Sequence, residues 1–254
     1  MAIGYGLTGK VKGKLGSSVF RIDRGRQIIS EYNPAPHDAK GESQVEQRAR
    51  IACASKVSAL FTPGMIAGMA TKNRTARGSF MADLVSKVVL TDTENGLNAT
   101  IDPSRLMLSR GAAAMVQFGT LNSVSPENTF HINVPYALPS DSLVTHILVV
   151  ILPVLTANEE FEAAQLFISD NIYNGRAEGT IECDMGFAMK SVRRTYYVYG
   201  IPLMVNDEKI KATYGRYLKS DTNGRFLVEV LTTLASRGML RQSVYVGNIT
   251  VNPS

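Results

Sequence analysis

Lys10, Lys12 and Lys14 occupy every second position, and Arg21, Arg24 and Arg26 follow them. In extended chain, residues two apart share a face. The three lysines therefore form one cationic edge, with Val11 and Gly13 between them. Such a set binds anions, either the phosphates of nucleic acid or the carboxylates of another protein. Six phosphate contacts would make binding fall steeply with salt, at a log–log slope of about −0.9 per contact. Aromatic side chains for base stacking are sparse in this stretch, only Tyr5, Phe20 and Tyr32. Sequence-specific reading is therefore not expected. Arg48 and Arg50, off the apolar stripe of the helix that follows, join the candidate binding set.

The other reactive residues lack the spacing that chemistry needs. His37, His131 and His146 have no carboxylate or cysteine at metal-ligand spacing. Cys53 and Cys183 stand far apart, without C-x-x-C partners, and read as buried thiols rather than a disulfide or zinc site. Gly4 to Gly9 fits G-x-G-x-x-G, but no strand precedes it and no helical sequence follows it, so a dinucleotide site is not expected. G-x-S-x-G, H-E-x-x-H and P-loop motifs are absent from the sequence. Glu159, Glu160 and Glu162 are acidic neighbours that could supply half of a glycosidase pair. They read better as a solvated loop. Asn73, Asn98 and Asn248 begin glycosylation sequons, which matter only in a secreted chain. No cofactor and no enzymatic activity are expected.

The elements that carry these residues follow from composition and pattern. The chain has 254 residues, 44% of them apolar and 19% charged, enough to bury a substantial core. Its net charge of +5 is unevenly placed: residues 1–80 hold 13 Lys+Arg against 5 Asp+Glu. That asymmetry favours an anionic partner or head-to-tail contact between copies. No signal peptide or membrane span is read, and a soluble protein in a reducing compartment is expected.

The fold class expected is α+β, mainly β. Residues 1–42 form a basic glycine-rich arm with a β-hairpin, Ser17–Ile22 and Gln27–Tyr32, turning at Asp23 to Arg26. Asn33-Pro34-Ala35-Pro36 makes an extended joint. Residues 43–90 form a three-helix unit, opened by a Ser43/Glu46 capping box. Its first helix has a stripe of Val45, Ala49, Ala52, Cys53, Val57 and Leu60. A short helix at Met65–Ala70 and a third at Ala76–Val89, buried through Phe80, Leu84 and Val88, complete it. Residues 91–254 form an Ig-like antiparallel β-sandwich. Its strands are expected at 106–109, 114–118, 129–134, 143–152, 165–169, 180–184, 195–203, 211–218, 226–233 and 243–251. Thr91–Asn98 reads as turn, Asp221 to Gly224 as a hairpin turn, and Pro153 and Pro202 as strand ends or edges.

Several stretches together resemble a known family. They are Gly13-Lys14-Leu15-Gly16-Ser17-Ser18-Val19-Phe20, Arg24-Gly25-Arg26, Asn33-Pro34, Gln44/Gln47/Arg48, Leu106 to Gly111, and Ser243-Val244-Tyr245-Val246-Gly247. The family is one from Bacteroidota and their phages, crAss-like phages included. It has a glycine-basic hairpin, a helix motif of the type N-P-R-T-x-x-Q-x-x-Q-R, an S-x-G-x-L strand, and a sandwich ending S-x-Y-x-G. This chain departs from it at Ala35-Pro36, at Lys40 to Ser43, and in having no tryptophan. The resemblance brings no enzymatic activity. It implies a phage virion structural protein, part of a ring or collar at the portal or tail. The partners implied are copies of itself, portal and tail proteins, and packaged DNA, with no membrane. The location implied is the virion, and the host cytoplasm during assembly. The alternative is non-specific nucleic-acid binding through the basic arm.

Overall fold

The strand that the rest of the fold is built on is the longest apolar run of the sequence, and it is buried on both faces. A computed structural model describes residues 12–23, 26–32, 41–94, 96–125, 129–139, 142–169, 178–186, 192–205, 209, 213–214, 218 and 224–252. It divides the chain into two compact units, Met1–Val45 and Glu46–Ser254. The fold is α+β and mainly β, with antiparallel sheets throughout.

The first unit contains β1 (Gly13–Leu15), β2 (Ser18–Asp23) and β3 (Arg26–Glu31), paired in that order. The expected hairpin is present, and β1 adds a third strand to it. Leu15 pairs with Ser18, so only Gly16 and Ser17 connect β1 to β2. Gly16 has φ +59, the conformation that a two-residue primed turn requires at its first position.

Helix α1 (Glu42–Ala59) begins in the first unit and lies mostly in the second, where a 3-10 turn at Ala67–Met69 and α2 (Ala76–Lys87) follow it. Helix α1 starts one residue ahead of the expected cap, so Ser43 lies inside its first turn. The Gly41 carbonyl accepts from the N–H groups of Gln44 and Val45 instead. The buried face of α1 is also rotated from the expected stripe. Ala54, Val57 and Ser58 are buried, whereas Val45 and Ala52 are exposed. Phe61 and Phe80 meet edge to face at 5.3 Å and join the helices. The stretch read as turn is a hairpin, β4 (Val89–Thr93) and β5 (Gly96–Thr100).

Two sheets follow. The outer one holds β6 (Gln117–Phe118), β7 (Asn122–Val124), β8 (His131–Ala137) and β12 (Glu178–Asp184). The central one holds β9 (His146–Leu155), β10 (Glu160–Phe161), β11 (Gln165–Ile168), β13 (Arg194–Leu203) and β14 (Val244–Val251). Ile147, Val149 and Ile151 of β9 pack with Ile132 and Val134 of β8 and Cys183 of β12. Leu148, Val150 and Leu152, on the other face of β9, pack with Ala54, Phe80 and Leu84 from the helices. Burial on both faces is why β9 is an unbroken apolar run, while β8, buried on one face, alternates.

The expected strands at 226–233 and 106–109 are not strands, and neither is the described part of 211–218. Residues 226–233 lie in α3 (Gly224–Ser236). Leu227, Val230, Leu231 and Leu234 recur at helical spacing, and all but the half-buried Leu227 are fully buried. Met239 N–H donates to Leu234 O and Gly238 N–H to Ala235 O, a Schellman ending with Gly238 at φ +68. Of 211–218, the described residues Thr213, Tyr214 and Leu218 are helical. The expected turn at Asp221 to Asn223 lies outside the described residues, and Gly224 opens α3. Residues 106–109 are irregular because no strand takes their N–H groups. Ser243 Oγ accepts from Leu108 N–H at 3.0 Å and Ser109 N–H at 3.3 Å.

Pro153 is inside β9 and not at an edge. Its carbonyl accepts from Glu162 N–H across the break between β10 and β11, so its missing N–H also faces that break. Pro202, next to last in β13, accepts from Arg241 N–H where pairing with β14 has ended.

The two sheets touch where Phe118 lies against Gly200 of β13, and a Cβ at Gly200 would enter the Phe118 ring. Gly200→Ala is expected to destabilise the fold by about 1–3 kcal/mol through overpacking. Urea unfolding measures this, and Gly200→Ala combined with Phe118→Leu should recover part of the loss.

Candidate interaction surface

Strand register sorts the side chains of the first unit onto two faces. Paired residues in antiparallel strands lie on the same face, and faces alternate along each strand. Phe20 pairs with Ile29 and Gly13, Leu15 with Ser18, and Ile22 with Gln27. These residues make one face, apolar through Leu15, Phe20, Ile22 and Ile29. Val19 pairs with Lys14 and Ser30, Arg21 with Ile28, and Asp23 with Arg26. These residues make the opposite face, which carries the cations Lys14, Arg21 and Arg26.

The cationic face is partly organised. Lys14 Nζ sits 3.3 Å from the centre of the Tyr32 ring, a cation–π contact. An Arg21 guanidinium nitrogen donates to Ser30 Oγ at 3.3 Å. Lys12 and Arg26 are exposed. Lys10 and Arg24 of the expected set lie outside the described residues, as do His37 and the Pro34/Pro36 joint.

Among the described residues of the first unit, nothing covers the apolar face. Leu15 is 64% exposed and Ile29 62%, and none of residues 12–23 and 26–32 with a described side chain is buried. A three-stranded sheet gains stability mainly by covering an apolar face. Single exposed apolar residues are ordinary, but a contiguous set on a folded sheet marks a contact surface. Sequence reading found the cations because charge is visible in a string of residues. It missed Leu15 and Ile29 as surface groups because the face they share exists only once the register is known.

The structure separates Arg50 from this set. Arg50 lies on α1, and its guanidinium donates to Val88 O at 2.6 Å, just beyond the last turn of α2. Arg77 of α2 does the converse for α1, donating to Ser58 O at 2.8 Å and Phe61 O at 3.0 Å. Each helix supplies a cation to the carbonyl end of the other, where the helix dipole is negative. Arg50 is thus a structural residue, and Arg48 is also engaged by neighbours.

The remaining reactive groups are tied up or scattered. Glu162 is held by Arg194 through two hydrogen bonds, 2.7 Å and 3.1 Å. The bond to Glu162 pushes the Arg194 guanidinium pKa up further. Glu160 accepts from Asn158 at 3.0 Å. Glu162 and Glu160 are therefore each engaged within the chain. His131 and His146 lie in β8 and β9. Among the described residues no three His, Cys, Asp or Glu side chains gather as metal ligands, and no helix is long and apolar enough to cross a membrane. Both cysteines are free thiols. Burial pushes the Cys183 pKa up to about 12, and burial also raises that of the half-buried Cys53.

Comparison with protein-family models, curated proteins and solved structures found no match.

Arg50→Ala is expected to lower stability by about 1–2 kcal/mol, by unpairing the Val88 carbonyl. Arg21→Ala, on the exposed ribbon, should change stability by less than about 0.5 kcal/mol. Urea unfolding of the two variants tests the division between structural and surface cations.

Proposed function

We propose that the chain is a non-enzymatic structural subunit of a phage particle, docked to neighbouring subunits through its N-terminal ribbon. The single observation behind this is the ribbon: a folded sheet with an uncovered apolar face and an opposed cationic face. A surface of that kind gains free energy when another molecule covers it. The excess of positive charge in residues 1–80 supports an anionic counterpart, which residues 81–254, with 14 Lys+Arg against 17 Asp+Glu, would supply in another copy. Contacts between unlike surfaces of identical subunits are heterologous, and they close into a ring when the rotation between copies closes. A ring or collar at the portal or tail is the form that the resemblance to the phage family favours. The setting is the virion, with host cytoplasm as the place of assembly, and portal and tail proteins as further neighbours.

Leu15→Asp with Ile29→Asp tests the reading. Each exposed apolar side chain covered in a contact contributes about 1.5–3 kcal/mol. The double variant should therefore fold normally and associate at least about tenfold more weakly in sedimentation experiments. Association equal to that of the unaltered chain, or absence of the protein from purified particles, would count against it.

A second reading rests on the cationic face. Lys14, Arg21 and Arg26 would track a phosphate backbone without reading bases. Affinity for duplex DNA should then fall with salt at a slope of about −0.9 per neutralised phosphate. Arg21→Gln should flatten that slope by about one contact. A salt-independent affinity removes this reading.

A further inference from the structure

The second unit contains a groove whose lining combines apolar side chains with two carboxylates. It has a volume of about 680 Å³ and lies along β5, the end of β9 and the start of β13. Cys53, Val154, Phe161 and Tyr197 contribute its apolar surface, and Asp102 and Glu159 its charge. Among the described residues no lysine, arginine or histidine lines it. Among the described residues neither carboxylate is in an ion pair. Asp102 accepts from Ser104 N–H and Ser104 Oγ through one oxygen, Oδ1. Glu159 is exposed and holds φ +54, the one non-glycine residue at positive φ among those described. Burial first, then Tyr245, Asp102 and Glu159, raise the Tyr197 pKa.

We propose that this groove receives the cationic ribbon of a second copy of the chain, joining copies head to tail. The inference rests on the reading that the ribbon docks on neighbouring copies, and adds where. A long cationic side chain lays its methylenes on apolar surface and keeps its charge at the edge. Here that places methylenes on Phe161 and Val154, the Tyr197 ring within reach for a cation–π contact, and the charge beside Asp102 and Glu159. The ribbon presents Lys14, Arg21 and Arg26 on one face, interleaved with Val19 and Ile28. The charges are opposite, and each surface pairs them with apolar neighbours. The two surfaces are different, so the contact does not satisfy both partners at once. Each added copy leaves one groove and one ribbon free, which is the condition for head-to-tail growth and, where the rotation closes, for a ring.

Cys53 makes the groove accessible to experiment, because it lines the groove while Cys183 is fully buried. The full chain is sedimented at low and high salt, and alkylation of Cys53 is timed in the associated and the diluted protein. Association at low salt should slow Cys53 alkylation at least about tenfold. Asp102→Asn with Glu159→Gln keeps an acceptor for Ser104 and removes the charge. This variant should lose both association and protection, as should Arg21→Gln with Arg26→Gln in the ribbon. If the Asp102/Glu159 variant does not fold, timing Cys53 in the unaltered chain decides alone. Association that requires the ribbon arginines but leaves Cys53 alkylation unchanged overturns the groove and spares the docking reading. An unaltered chain that stays monomeric at both salt concentrations overturns both.

Discussion

Burial of one sheet on both of its faces is the constraint from which the second unit follows. β9 and β13 have the outer sheet on one side and helices on the other. Water reaches neither face, so backbone polar groups must find partners within the protein. That requirement decides where irregularity is allowed. Pro153 has no N–H to donate, and it stands where β10 has ended and β11 has not begun. Pro202 stands where β14 has ended. Tyr199, fully buried, carries a hydroxyl into this core and donates it to Pro103 O at 2.6 Å. Burial raises its pKa, so it remains a neutral donor.

The helical layer solves a related problem with charge. Helix ends leave carbonyls without partners. Arg50 and Arg77 meet those of the opposite helix, and Arg194 is paired with Glu162 beside the central sheet. These arginines are committed to the fold. Ribbon cations make only light contacts, Lys14 with Tyr32 and Arg21 with Ser30. The same side-chain chemistry therefore has two uses in one chain, distinguished by whether its partner is a neighbouring carbonyl or a surface left open.

Ribbon and groove differ in how they combine apolar and charged groups. In the ribbon, strand alternation puts Leu15, Phe20, Ile22 and Ile29 on one face and Lys14, Arg21 and Arg26 on the other, with Val19 and Ile28 among them. In the groove, carboxylates stand around an apolar lining drawn from α1, β9, β10 and β13. Close approach of opposite charges over apolar surface is favourable when both lose some water, because the weaker local screening strengthens attraction. Added salt opposes it where the charges stay exposed.

Local sequence determined the parts whose signal is complete within a few residues. The hairpin at 18–31, helix α2 with Phe80 and Leu84 inward, and the long strand β9 were all legible. The cationic character of Lys14, Arg21 and Arg26 was equally plain, because charge belongs to the residue. Tertiary structure decided the rest. Residues 226–233 have β-branched, apolar character in a short window. Only packing across Leu227, Val230, Leu231 and Leu234, with Gly238 ending the turn, makes them helical. Leu106–Ser109 is apolar like a strand but finds its partner in Ser243, more than a hundred residues away. Arg50 became structural because Val88 folds back beside it. The groove joins Cys53, Asp102, Glu159 and Tyr197, whose proximity no spacing encodes. Short-range preference acts between neighbours along the chain, whereas burial and hydrogen-bond satisfaction act between neighbours in space, and this fold sets those two neighbourhoods far apart.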